Sequence, residues 1–269
     1  MERARRLLKL FDSLVHVTRD GTWLGTRRYD ASLARLLAEM ELLGSCRACL
    51  VAIADHADND TVMQCARLFP DRFVPIGSIN PCAMADSQEV EAAVADLARQ
   101  GFAGLKLHAR LNQYDPLDPR SLTAMDAAGR HGLVLFLCTL FRQRGRALPG
   151  AADVVDQIAN RCGNTKIVLL HGGGASALDL FELVRMHAHL VLDLSFTMLR
   201  YAGSSLDLDI TFLCRELDQR LTVGSDFPEY TPTEALERVL KLTADLPCEK
   251  RENILWRNLD NLFADWRGI

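Results

Sequence analysis

The sequence contains no apolar run approaching the roughly 18 to 20 residues needed to span a bilayer, so a membrane span is not expected. It also lacks a basic excess. Its 31 Lys+Arg stand against 35 Asp+Glu, a formal charge of −4, which argues against the strongly basic face of a nucleic-acid binder. Eight cysteines in 269 residues are too dilute for a disulfide scaffold. The stretch from Met1 to Leu10 carries Arg3, Arg5 and Arg6, but Lys9 and Asp12 interrupt it before a secretory core could form. A cytoplasmic protein is the expectation. No G-x-S-x-G elbow accompanies the HGGG at 171–174, and no Walker lysine follows its glycines. A lipase-type serine hydrolase and a P-loop are thereby disfavoured.

What is present is an ordinary globular balance, 49% hydrophobic and 25% charged. Short apolar, β-branched runs fall at about 9–17, 46–54, 73–79, 102–109, 133–138, 166–171, 190–195 and 221–226. Segments of helical periodicity follow at about 30–43, 58–68, 86–100, 119–131, 151–161, 175–187, 205–218, 232–244 and 249–265. Strands alternating with helices require crossovers and hence parallel pairing. Leu133–Cys138 and Ile167–Leu170 are apolar on both faces, as buried parallel strands are. Eight such units predict a (β/α)8 TIM barrel, one domain over 1–269, in preference to an open doubly wound sheet.

Active sites in such barrels lie at the C-terminal ends of the strands. The strand candidates end in His16, Asp55 with His56, Asn80, Lys106 with His108, Cys138, His171, Ser195 and Asp226. Strict alternation would place Asp12, Leu14 and His16 on one face, and Lys106 with His108 on another. If those faces line the interior, His16, Lys106, His108, His171 and Asp226 converge on one mouth. Imidazoles beside a carboxylate suit a metal ion or a general acid/base site. A single strand-end histidine is more often structural, and only the convergence argues otherwise. His187-x-His189 precedes the seventh strand and falls on the opposite, stability face. Cys46 and Cys49, three apart on a strand, point to opposite faces and do not chelate together. His131 ends a helix, where a cation complements the dipole.

The motifs FDSLVHV at 11–17, GFAGLKLH at 101–108, LVLFLCT at 133–139, VLLHGG at 168–173, LTVGSDFP at 221–228 and ENILWRNLDNLF at 252–263 resemble the successive strand ends and closing helix of the amidohydrolase superfamily, nearest its amidohydrolase-2 group of hydrolases, lactonases and decarboxylases. The resemblance implies a metal-ligating His-x-His on the first strand, but here Leu14 takes the first position and only His16 remains. Cys138 stands where the fifth strand implies a histidine. His171 and Asp226 match the sixth- and eighth-strand residues.

Two chemical readings follow. In one, His16, Cys138 as thiolate and Asp226 hold a single Zn²⁺ whose water attacks a carbonyl, with His171 moving the proton. In the other no metal is bound; Asp226 is the general base while His16, His171 and Lys106 stabilise the oxyanion. Lys106, His108, Arg110 and the loop bearing Arg142, Arg144 and Arg146 are expected to hold a small anionic substrate. Gly172–Gly174 either bring backbone N–H groups to the ligand or only form a tight turn. The leading expectation is hydrolysis of a lactone, amide or similar bond. The alternatives are a metal-dependent decarboxylase and a non-catalytic barrel that binds a metabolite or partner protein. Base rates for soluble enzymes suggest a homodimer.

Overall fold

The computed structural model describes residues 9–145 and 150–268; Arg3, Arg5, Arg6 and Arg146 lie outside them. Eight parallel strands run in sequence order around one sheet: β1 (Leu10–Val15), β2 (Cys46–Val51), β3 (Phe73–Ser78), β4 (Gly104–Leu107), β5 (Val134–Cys138), β6 (Ile167–Leu170), β7 (Leu190–Asp193) and β8 (Leu221–Thr222). The ring closes where the chain after β8 runs beside β1. Ser13 N–H donates to Val223 O at 3.0 Å, Asp226 N–H to Leu14 O at 2.9 Å and His16 N–H to Phe227 O at 2.9 Å. The result is a single-domain (β/α)8 barrel. No helix among the described residues is long and apolar enough to cross a membrane.

The helices are α1 (Leu33–Leu43), α2 (Asn59–Leu68), α3 (Ser87–Gln100), α4 (Pro119–Arg130), α5 (Ala151–Arg161), α6 (Phe181–Met186), α7 (Thr197–Arg200), α8 (Leu206–Glu216), α9 (Pro232–Leu242), α10 (Cys248–Glu252) and α11 (Asn258–Leu262). Capping chemistry marks their starts. Asp58, Asp86 and Asp118 accept from first-turn amides, and Thr231 forms a capping box with Glu234. The segment expected as one helix over 175–187 is a 3₁₀ run to Leu180 and then α6. Three left-handed glycines, 172–174, open that run and break α-helical bonding. The closing helix passes through a π turn at Asn253–Arg257 between α10 and α11.

Both faces of the strands are apolar because each packs against a different shell. In β5, Leu135 and Leu137 pack outward against helices, whereas Val134 and Phe136 fill the barrel interior with Phe11, Leu14, Val168 and Leu170. Each fully buried side chain of this size contributes about 1.5–3 kcal/mol. Phe263 closes the N-terminal end, its ring 6.3 Å from those of both Phe11 and Phe136. A hollow of about 660 Å³ beside it, lined in part by Phe102, Leu133 and Trp266, holds none of the strand-end polar groups.

One expectation about facing fails. The β1–β2 register shifts between Asp12 and Val15, so Phe11 and Leu14, three apart, both reach the interior. Asp12 does not share a face with Leu14 and His16. Its Oδ1 instead accepts the N–H groups of Leu14 at 3.1 Å and Ser225 at 2.9 Å. Gly224 makes this approach feasible, since a Cβ there would lie 2.4 Å from Ser13 Oγ and 2.7 Å from Asp12 Oδ1.

Candidate active site

Inner-facing positions at the strand ends deliver the polar groups. Beyond Phe11 and Leu14, β1 presents His16. Lys106 is the inner residue of β4 between outward Leu105 and Leu107, and Cys138 follows Phe136 on β5. His16 Nδ1–H donates to Val51 O at 2.5 Å, leaving Nε2 as the basic nitrogen. That atom lies 3.5 Å from Lys106 Nζ and 3.6 Å from Asp226 Oδ1. An imidazole thus joins a buried ammonium and a carboxylate, and the opposite charges offset each other's burial.

The electrostatics follow from burial and these partners. Burial pushes the Asp226 carboxyl up, but His16 at 3.6 Å, His171 and the Lys106 ammonium overcome it and hold the group down at about 2. Burial pulls the Lys106 ammonium below its usual range while Asp226 and Cys138 oppose that. His16 is lowered by burial and by Lys106. His171 is pulled down to about 4, first by burial and then by Lys106, against the pull of Asp226. His108, well below its usual value through burial and Lys106, accepts the Leu111 N–H at Nδ1 over 3.3 Å. Burial raises the Cys138 thiol, against the nearby charges of Lys106 and Arg110.

His171 Nδ1–H donates to Ser195 O at 3.2 Å, and its ring meets Phe196 edge-on at 5.7 Å. With Nδ1 protonated and the ring neutral, Nε2 is the proton-accepting nitrogen at rest. In that state His171 is an acceptor, and Lys106 is the group beside it that can donate to an oxyanion. His171, Phe196 and Asp226 each have positive φ, of 65°, 61° and 59°, a conformation that costs about 1–3 kcal/mol in non-glycine residues and gathers at functional sites.

Beyond Phe196, whose ring meets His171, opens a cleft of about 590 Å³ lined by Arg110, Arg142 and Arg200 together with Thr139 and Tyr201; His16, Lys106, His171 and Asp226 lie behind its lining. All three guanidinium-bearing residues are exposed. Arg144 does not line it, and Gln143 turns inward to donate to Ala109 O at 3.1 Å and Tyr114 O at 2.6 Å. The glycine run does structural service. Gly173 N–H donates to Thr139 Oγ1 at 2.7 Å, and a Cβ on Gly174 would come within 2.9 Å of Leu140. Asp55 and His56 are exposed, and Asn80 caps a 3₁₀ turn.

Four neighbours were not anticipated from sequence. Trp23 stacks on His16, centroids 5.0 Å apart and 21° between planes. Its Nε1–H donates to Glu229 Oε1 at 3.3 Å. Phe196 and Arg200 come from the short α7 and the residue before it. The barrel rule flags the loops carrying all four, since each follows a strand at the C-terminal end, but no local pattern singles these residues out.

The donor set does not fit a resident metal. Leu14 has no lone pair, and the Lys106 ammonium lies 3.5 Å from the free nitrogen of His16. Among the described residues no three His, Cys, Asp or Glu side chains lie together in a way that could hold an ion. The expected His16–Cys138–Asp226 zinc site is therefore not assembled.

A sequence model of the amidohydrolase family, in its amidohydrolase-2 form, matches residues 18–258; His16 lies just ahead of the matched stretch. No curated protein matches the chain. Among solved structures, an uncharacterized TIM-barrel protein of Bordetella bronchiseptica is similar with a TM-score of 0.80 at 18% identity, covering 96% of this chain and 99% of that one. A probable 2-pyrone-4,6-dicarboxylic acid hydrolase of Acinetobacter baumannii with citric acid bound gives 0.68 at 16% identity, covering 96% and 100%. The 5-carboxyvanillate decarboxylase of Sphingomonas paucimobilis gives 0.70 at 18%, covering 96% and 99%. At such identities the likeness speaks to the barrel fold alone.

Proposed function

Because this chain belongs to the amidohydrolase family, we propose that it is a metal-independent hydrolase that opens a lactone or similar carbonyl bond in a small anionic substrate. The observation that carries the reading is the Lys106–His16–Asp226 array, in which an ammonium lies 3.5 Å from the imidazole nitrogen where a metal would bind.

In this reading Asp226 takes a proton from water as its oxygen attacks the carbonyl carbon. Lys106 meets the negative charge that develops on the carbonyl oxygen, in a site where low solvent exposure strengthens the interaction. As the intermediate collapses the carbon–oxygen bond to the leaving group breaks, and the water's proton reaches the departing oxygen by way of His171 Nε2. His16 holds Lys106 and Asp226 in register. The arginines of the cleft grip the anionic part of the substrate and orient the reacting carbonyl. Citric acid in the A. baumannii relative is consistent with a polyanion-binding mouth.

The test is a panel of carboxylated lactones and amides offered to chelator-treated protein, with hydroxy-acid formation and CO₂ release followed in parallel. Hydrolysis that survives chelation is expected. CO₂ release without hydrolysis, or turnover that returns only with added Zn²⁺, would overturn the proposal. An absence of any turnover, together with a tightly bound endogenous metabolite, would assign the barrel to ligand binding instead.

A further inference from the structure

Beneath His171, inside the barrel, a fully buried carboxylate accepts from three strand ends. Asp193 Oδ2 takes hydrogen bonds from Ser13 Oγ at 2.5 Å and Thr222 Oγ1 at 2.9 Å. Its Oδ1 takes the Ser195 N–H at 3.0 Å and the Ser195 hydroxyl. Burial pushes Asp193 up against these donors. Every partner is a donor, which is the arrangement an ionised carboxylate requires.

The consequence falls on Ser195. Its hydroxyl proton is committed to Asp193, so the lone pairs of Oγ remain for His171 Nδ1, 3.4 Å away. Ser195 O lies 3.2 Å from the same nitrogen. Both oxygens of Ser195 therefore accept at Nδ1, and neither can donate to it. Thr197 Oγ1 fixes the backbone at His171 O over 2.7 Å. We infer that Asp193 is a positioning residue which, by orienting the Ser195 hydroxyl, confines His171 to the Nδ1–H tautomer and keeps Nε2 as its proton-accepting atom. The inference rests on the proposed part of His171 in proton transfer, yet it can be tested apart from that role. Hydrogen-bond partners outside the reacting centre commonly set histidine tautomers in this way, and their removal costs about 10- to 100-fold.

The experiment is ¹⁵N-histidine NMR of the full chain, with the His171 signals assigned by their loss in His171→Gln, alongside kcat and KM for lactone hydrolysis. The wild-type protein is expected to show the Nδ1–H form. Asp193→Ala is expected to mix the tautomers and lower kcat about 10- to 100-fold with KM held within about twofold, the signature of a group felt mainly in the transition state. In Asp193→Asn the amide oxygen still accepts from Ser195 while Ser13 and Thr222 rotate to accept from its N–H₂, so the wild-type tautomer returns. Should Asp193→Ala fail to fold, Asp193→Leu keeps the buried volume while removing the acceptor of the Ser195 hydroxyl and is read by the same spectrum. A wild-type tautomer population in the folded variant overturns the inference. If His171→Gln leaves kcat unchanged, the proposed role of His171 fails, and the spectrum still decides whether Asp193 sets its tautomer.

Discussion

The Lys106 ammonium lies 3.5 Å from Nε2 of His16, so the one free nitrogen of that imidazole faces a cation. Replacing Lys106 by Met keeps most of the volume and removes the charge. It is expected to lower kcat by about 10²- to 10³-fold, the usual loss when a transition-state donor is removed, and added Zn²⁺ is expected not to restore it. Steady-state kinetics with and without the metal test this; wild-type turnover in the variant would remove Lys106 from the mechanism.

Asp226 balances that cation and is the proposed base. Asp226→Asn preserves shape but cannot take a proton at the reacting water, so kcat is expected to fall by about 10²- to 10⁴-fold. The change also leaves Lys106 without its counter-charge, at a cost of a few kcal/mol in stability. Circular dichroism should report a native barrel with an earlier urea midpoint. Full activity in a folded variant would refute the assignment.

How much of this was open to inspection in the sequence depends on what each feature rests upon. All eight strands could be located because interior and helix-facing shells both demand apolar side chains, which makes runs such as LVLFLC conspicuous. His16, Lys106, His171 and Asp226 could be placed at the mouth by strand order alone. The β1 irregularity at Asp12 could not, because it arises from the polar seam with Gly224 and Ser225, more than 200 residues away in sequence. The histidine tautomers were equally hidden. The carbonyls of Val51 and Ser195 meet the histidines' Nδ1 atoms, and such backbone atoms exist at every residue and carry no sequence signal.

The acid limit of activity should report His171. The group must be neutral to accept a proton at Nε2, and its pKa is pulled down to about 4. Activity is therefore expected to be fully present at neutral pH and to fall as pH drops through about 4, while Asp226, at about 2, remains ionised there. The pH profile of kcat, checked against far-UV circular dichroism at each pH, tests this. In His171→Gln the residual rate should lose the limb near 4; an unmoved limb would assign it to another group.

The cleft arginines should act on binding. Arg142→Met and Arg200→Met are expected to raise KM about 5- to 10-fold each with little change in kcat, since their contacts are remote from the reacting carbonyl. Added salt should weaken binding to the wild-type protein more than to either variant. Arg144, which does not line the cleft, is the control. Equal effects at all three positions would point to general charge attraction and not to a site.

Asp12 offers a test of the barrel seam that does not depend on activity. Its Oδ1 is held by two backbone N–H groups, while Oδ2 is buried with no partner. Burial drives the carboxyl from 3.8 up to about 7, against the Ser225 hydrogen bonds and with a further push from Asp193. Between those two pH values the folded chain retains a proton that the unfolded chain has released, so stability declines as pH rises from about 4 to about 7 and then levels off. Asp12→Asn keeps the Oδ1 acceptor and places a neutral group at Oδ2. The variant should unfold at higher urea than wild type at pH 8, by on the order of a few kcal/mol, with the difference shrinking toward pH 4. Urea titrations across that range decide the matter, and parallel stability curves for the two proteins would show that Asp12 is ionised in the fold and stabilised by contacts other than those described.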